Sequence, residues 1–277
     1  MVEYVRGDFK SVSKLKKLWV ESFNDTSKGY LNFIKTNKKN VRIYMAKSEG
    51  AIVSALYHIP VTVSNIKAHY LYGASTEERQ RGKGIMRHLI DYSLQDAHSL
   101  GEELSVLYPA DSHLYGYYGR LGFERKCHRK TADVTREQLM NIAEYSGFCL
   151  SMNLKEMINL RKTLLSENSL IFPDEYMKFS VLSAKTGGGK VICSNKGYAF
   201  VEKDSLGECV ISEILAEKDN IGVLLGEVLK NSKAEKFTFN YSPQLSYFKN
   251  ERLTEDGMIQ KLTDCNVNEV YIGLPNT

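Results

Sequence analysis

Apolar positions recur at helical spacing from Leu15 to Phe23, and the pattern then shortens to the strand period. Arg42 to Lys47 and Ala51 to Pro60 read as paired strands, and Ile66 to Ala74 as a third. Helical spacing returns over Ile85 to Ala97. A short β-type run, Glu103 to Tyr108, follows and is stopped by the breaker Pro109. Tyr115 to Tyr118 then reads as helix, ended near Gly122, with Phe123 opening a buried strand. Thr135 to Ser166 is rich in helix formers and reads in part as a connection. After a short helix beginning near Phe172 comes a second series: strands Lys190 to Cys193, Tyr198 to Lys203 and Cys209 to Leu215, a helix Ile221 to Leu229, and a strand Lys236 to Tyr241. The order of strands, helix and strand thus occurs twice, which is evidence for a duplicated fold. The expectation is an α/β (α+β) chain of two mixed-sheet domains, residues 1–134 and 135–277. Gly187 to Gly189 precedes a strand rather than a helix, so it reads as a turn.

The junction between the third strand and the helix at Ile85 carries the chemistry. It reads Arg79-Gln80-Arg81-Gly82-Lys83-Gly84-Ile85. A glycine-rich turn entering a helix presents backbone N–H groups at the positive end of the helix dipole, where phosphate binds. No G-x-x-x-x-G-K-[ST] is present, and G-x-G-x-x-G lacks its third glycine, so neither the Walker loop nor the dinucleotide fingerprint applies. Taken alone, such a turn is more often a basic surface loop capping a helix.

A second segment, Tyr115-Gly-Tyr-Tyr-Gly-Arg-Leu-Gly-Phe123, follows about thirty residues downstream. The series R-x-x-G-x-G, helix, strand, Y-x-x-x-G-F resembles the GNAT acetyltransferase superfamily over roughly the first 130 residues. The duplicated plan, with Phe172-Pro-Asp-Glu-Tyr-Met-Lys-Phe opening the second part, is similar to the Eis-like (enhanced intracellular survival) acetyltransferases. Full-length members of that group add a sterol-carrier-like domain whose terminal carboxylate reaches the site. This chain stops near Val270 to Leu274, which leaves no evident counterpart and puts a role for the Thr277 carboxylate in doubt.

The resemblance implies a tandem GNAT-like fold in which acetyl-CoA is the co-substrate. Gln80, Arg81, Gly82, Lys83, Gly84 and Ile85, with Arg79, would cradle its pyrophosphate. Backbone groups of Tyr72, Gly73 and Ala74 would face the pantetheine arm and thioester. Tyr118 would be the acid that protonates the leaving thiolate. Tyr117 is then the packing residue. No base is evident. His69 lies on the strand into the site, but a lone strand histidine is more often structural. Glu77 and Glu78 read as capping the turn. Asp111, Ser112 and His113 are adjacent and cannot converge as a triad, so Asp111 or Ser112 reads as an N-cap. The second copy has Ala216-Glu-Lys-Asp-Asn220 in place of the glycine turn, and acidic residues there repel a pyrophosphate. It therefore reads as a degenerate domain.

Composition narrows the rest. The chain has 277 residues, a formal charge of +4 and 37 cations spread among 33 acidic residues, so no nucleic-acid partner is expected. No apolar run spans a bilayer and no signal-peptide core opens the chain, so a cytoplasmic protein without membrane attachment is expected. Cys127, Cys149, Cys193, Cys209 and Cys265 show no C-x-x-C spacing and read as reduced thiols, with no metal site. The leading function is acetyl transfer to a primary amine of a small molecule or protein. The alternative is a CoA-binding sensor or scaffold with little turnover. The acceptor, the base and the oligomeric state, a homo-oligomer included, are not legible.

Overall fold

The computed structural model describes residues 1–145, 152–165 and 167–274. Along the chain come β1 (Val2–Arg6), α1 (Val12–Phe23), α2 (Ser27–Asn37), β2 (Arg42–Ser48), β3 (Ala51–Val63), β4 (Ile66–Thr76), α3 (Ile85–Ser99), β5 (Leu104–Leu107) and α4 (Leu114–Gly119). Then follow β6 (Glu124–Thr135), α5 (Arg136–Met140), α6 (Leu154–Leu164), α7 (Asp174–Thr186), β7 (Lys190–Ser194), β8 (Gly197–Asp204), β9 (Glu208–Ala216), α8 (Ile221–Asn231), β10 (Lys236–Tyr241) and β11 (Arg252–Lys261). The chain forms two compact units, Met1–Lys126 with Gly257–Asn268, and Cys127–Asp256 with Glu269–Thr277. The Thr277 carboxylate and Cys149 lie outside the described residues. Cys127, Cys209 and Cys265 are free thiols.

In the first unit the strand order is β1-β2-β3-β4-β5-β11. Strands β1 to β4 are antiparallel neighbours, whereas β4 and β5 run parallel and are joined through α3, as a parallel pair requires a crossover. The last four residues of β11, Met258 to Lys261, pair antiparallel with Leu107 to Leu104. Helix α1 buries Leu15, Leu18 and Trp19, one stripe at i, i+3 and i+4. Helix α2 starts where the Thr26 hydroxyl accepts from Gly29 N–H at 2.9 Å, and it buries Tyr30, Phe33, Ile34 and Asn37 at the same spacing. Helix α3 covers the opposite face of the sheet, with Leu89, Ile90 and Leu94 packed on Tyr44, Leu56, Leu71 and Leu107.

The second unit repeats the plan as β7-β8-β9-β10, again with a parallel pair, β9 and β10, joined through a helix, α8. Here the closing strand is β6, antiparallel to β10 from Thr135↔Lys236 to Lys130↔Tyr241. The observed division thus falls after Lys126 and returns at Gly257, where 134/135 was expected. The reason is pairing: β6 completes the second sheet, and the place beside β5 is filled by a strand from the far end of the chain.

Candidate functional site

In the first unit β4 carries the fork on which the site is built. Its pairing with β5 covers only Ala68↔Leu104, His69↔Ser105 and Tyr70↔Val106, yet β4 runs on to Thr76 against β3 alone. Opposite β3, Tyr57 pairs with Tyr72 and Ala55 with Ser75, so Leu56 faces the two residues Gly73 and Ala74. This is a β-bulge, and it turns the strand at the fork. Gly73 sits at φ +60°, and a Cβ there would strike the Trp19 indole and lie 3.0 Å from Tyr57 Cδ2. Only glycine fits. The Tyr72 ring packs into the cluster of Trp19 (centroids 5.6 Å apart) and Phe33 (5.1 Å).

Beyond β4 the chain makes one 3₁₀ turn, Glu78–Gln80, and then the four residues Arg81 to Gly84 before α3. Glu77 closes that turn with its backbone, its carbonyl accepting from Gln80 N–H at 2.8 Å, and no Glu77 side-chain cap forms. Gly82 and Gly84 have φ of +76° and +77°, and nothing lies within 4 Å of a Cβ built on Gly82. Gly84 is the N-cap of α3 and supplies no side-chain bond to its first N–H groups. Arg79, Arg81, Gly82, Lys83 and Gly84 are exposed and Gln80 is half-buried. Arg81 Nε donates to Thr76 O at 3.1 Å and Lys83 Nζ to Gln80 Oε1 at 2.9 Å, which holds both side chains beside the turn. Ile85 buries its side chain in the core beneath α3, so only its N–H faces outward at the helix start. The turn is a basic, glycine-lined, uncapped helix start with room for an anion.

Tyr118 belongs to the same packed cluster as Ile85, Leu107 and Phe123, with Ala74 against it. The structure thus brings the cradle, the bulge and Tyr118 around one core. Contrary to expectation, Tyr118 is the more buried of the two tyrosines, at 8% exposure, while Tyr117 is half-buried beside it. Burial, and then the neighbouring Tyr117, push the Tyr118 phenol up to about 12. It is a neutral O–H donor at every physiological pH. Its carbonyl accepts from Leu121 and Phe123 N–H groups, both within 3.1 Å, and Gly122 takes φ +94° in that turn. Helix α4 is capped by backbone carbonyls of Asp111 and Ser112, not by their side chains.

His69 is not at the fork's surface. It is fully buried, and its Nδ1 lies 2.8 Å from Glu102 Oε2. That position removes it as a base for an incoming substrate. The wall of Trp19, Phe33 and Tyr57 behind the bulge and the Glu102 network were missed in the sequence. Only the burial periodicity of α2, with Tyr30 and Phe33 three apart, signalled the wall.

Residues 7–125 match the family described as acetyltransferase (GNAT) domain. This segment is a GNAT acetyltransferase domain. It places the protein among the acyltransferases. No curated protein matches the chain by sequence. A probable N-acyltransferase from Enterococcus faecalis V583 is 13% identical, aligned over 95% of this chain and 73% of its own, with TM-score 0.74. A GCN5-related N-acetyltransferase from Anabaena variabilis is 15% identical over 96% and 74%, with TM-score 0.75. Eis1 from Mycobacterium abscessus is 12% identical over 95% and 74%, with TM-score 0.68. At such identities the likeness is one of fold, and it extends beyond the GNAT domain over both units. No helix among the described residues is long and apolar enough to cross a membrane.

Proposed function

We propose that the GNAT domain binds acetyl-CoA and transfers its acetyl group to a primary amine of a small molecule or protein. The observation that carries this reading is the fork between β4 and β5 with its Gly73–Ala74 bulge, next to the uncapped start of α3. The pyrophosphate is held by the backbone of Gln80 to Ile85, with Arg79, Arg81 and Lys83 adding charge. Acetyl-CoA supplies the activated thioester. Backbone groups of Tyr72 to Ala74 orient it and stabilise the oxyanion formed when the amine nitrogen attacks the carbonyl, a contribution of a few kcal/mol. As the carbon–sulfur bond breaks, the thiolate takes the proton of Tyr118, the nitrogen releases its own proton to solvent, and Tyr118 regains a proton from solvent. The basic, glycine-lined turn excludes no acceptor class, so the amine is defined by experiment.

Coenzyme A at millimolar concentration should raise the melting temperature of the full chain, and Gly82→Asp, which puts bulk and negative charge in the cradle, should abolish the rise. Thiol release from acetyl-CoA with a panel of amines then reads the transfer. No thermal shift in the wild type would end the reading at its first step. A shift without thiol release from any amine would leave a CoA-binding scaffold.

A further inference from the structure

The first unit buries a cluster that the proposed chemistry does not use. His58 on β3 and His69 on β4 are fully buried and stacked, with ring centroids 3.6 Å apart and planes 9° from parallel. The Tyr44 ring lies 4.6 Å from the His58 ring. His69 Nδ1 meets Glu102 Oε2 at 2.8 Å, and Arg42 Nη2 donates to both oxygens of Glu102, at 2.7 and 2.6 Å. Both ring nitrogens of His58, His69 Nε2, Arg42 Nε and Ser105 Oγ are buried without a partner. Ser105 is the β5 residue in register with His69, at the middle of the three pairs that join β4 to β5 before the fork.

A metal ion is the first chemistry to weigh, since ligand atoms of His58, His69 and Glu102 lie within 4.8 Å of one another. The geometry rejects it. Imidazole binds a metal along a lone pair in the ring plane, at about 2 Å. Parallel rings 3.6 Å apart confine those lone pairs to separate planes, so they do not meet at one ion. Glu102 is already committed to Arg42 and His69, and the Arg42 guanidinium repels a cation.

What remains is a pair of imidazoles held neutral. Burial, then His69, Arg42 and Arg6, hold His58 well below its ordinary value. For His69 burial outweighs the pull of Glu102, and Arg42 adds to it. Burial raises the Glu102 carboxyl, but His69 and Arg42 outweigh it and keep the group charged. The other facing carboxylate is already engaged. Asp96 of α3 accepts from Tyr44 Oη at 2.6 Å and lies 3.8 Å from Arg6 of β1. A proton on His58 has nowhere to be shared while the sheet is closed.

We infer that the stacked His58–His69 pair, anchored by Glu102 and Arg42, is an acid-sensitive brace beneath the β4/β5 fork, and that protonating it opens the sheet there. In the unfolded chain both imidazoles take protons near pH 6.5, and in the folded one they do not. The unfolded state therefore binds more protons below that pH. The brace's contribution is fully present above about pH 6.5 and is lost as pH falls. His58, held well below its ordinary value, costs about tenfold in the folding equilibrium per pH unit in that range.

The test is urea unfolding of the full chain between pH 7.5 and 5, followed by the fluorescence of Trp19, the single tryptophan. His58→Phe keeps a stacked ring and cannot take a proton. From pH 6 to 5 the wild-type folding equilibrium should fall about tenfold more than that of His58→Phe. Parallel pH profiles overturn the brace. A second reading needs no variant: deuterium exchange at imidazole C2 in the wild type. His58 should titrate well below the ordinary imidazole value and His69 below it, and midpoints at the ordinary value overturn the inference. A rise in melting temperature on adding Zn²⁺, lost in His58→Phe, overturns it in favour of a metal site.

Discussion

Gly73→Ala separates the backbone need for glycine from the steric one. At φ +60° an alanine pays the left-handed penalty, about 1–2 kcal/mol. Its methyl also meets the Trp19 indole and Tyr57 Cδ2. The indole has no free direction of retreat, because it stacks on Phe33 at 5.4 Å and meets Tyr57 edge-on at 5.6 Å. Overpacking of this kind costs about 1–3 kcal/mol. The smaller entropy of the unfolded alanine chain returns a fraction of a kcal/mol, which leaves a net loss of about 2–4 kcal/mol. Gly82→Ala is the matched control. Its φ, +76°, carries the same backbone cost, but nothing lies within 4 Å of the new methyl, so the loss should stay near 1 kcal/mol. Urea titrations with Trp19 fluorescence at constant m give both values. Coenzyme A affinity should be hurt by Gly82→Ala out of proportion to its stability cost, because the open space is the cradle. If the two variants lose equal stability, the bulge is not packed against the indole and the account of the fork is wrong.

Tyr118→Phe should keep coenzyme A affinity and lower turnover by about 10²-fold or more, by the same factor from pH 6 to 9, because the phenol stays protonated until about 12. A factor that changes across that range, or none, removes the hydroxyl as the acid. Asp256, 7% exposed, has its carboxyl pushed up to about 6 by burial, against the pull of Arg129 at 3.4 Å and of His128. Its folded pKa lies above the unfolded one, so the stability it lends below pH 4 is lost as pH rises through 6. Asp256→Asn should therefore gain up to about 2–3 kcal/mol on wild type between pH 4.5 and 7.5. Calorimetry showing a pH-independent gap would refute that assignment.

The helix at Ile85, the turn before it and the repeated order of elements were legible because each is local. The glycines, the cations and the apolar stripe lie within twenty residues of one another. Strand β11 was not legible. Its first half, Arg252 to Glu255, is largely polar and exposed, and only Gly257 to Ile259 with Asp256 are buried. It is a strand because Leu104 to Leu107, buried along its whole length, needs an antiparallel partner, and that partner lies about 150 residues away. Strand β6 reads as a charged run, Glu124 to Lys130, for the same reason, since its pairing with β10 is distant. Helix α2 contains Gly29, Thr36 and Asn37, which weaken its propensity, and it is held by its buried stripe and its Thr26 cap. His58, His69 and Glu102 are separated by 11 and 33 residues, and only the strand register brings them together.

The second unit should take up no coenzyme A, so the full chain should bind one equivalent. In both units a 3₁₀ turn follows the third strand of the repeat. In the first unit four residues, Arg81 to Gly84, separate that turn from α3. In the second, the turn Lys218–Asn220 runs straight into Ile221 of α8. The residues missing from the repeat are the two positive-φ glycines and two cations that form the cradle. What stands nearby is closed by the chain itself. The Tyr247 hydroxyl accepts from Ala216 N–H at 2.9 Å and donates to Ala216 O at 2.7 Å, and Glu217 pairs with Lys196 at 2.9 Å. Along α8, Glu144 N–H donates to Gly222 O at 2.8 Å, and its side chain lies where a Cβ on Gly222 would stand. A pyrophosphate at this helix start would meet carboxylates and find no glycine turn. Calorimetric titration with coenzyme A should therefore give a stoichiometry of one, lost in Gly82→Asp. Two sites, or a single site that survives Gly82→Asp, would place binding outside the α3 turn and overturn the division of labour between the units.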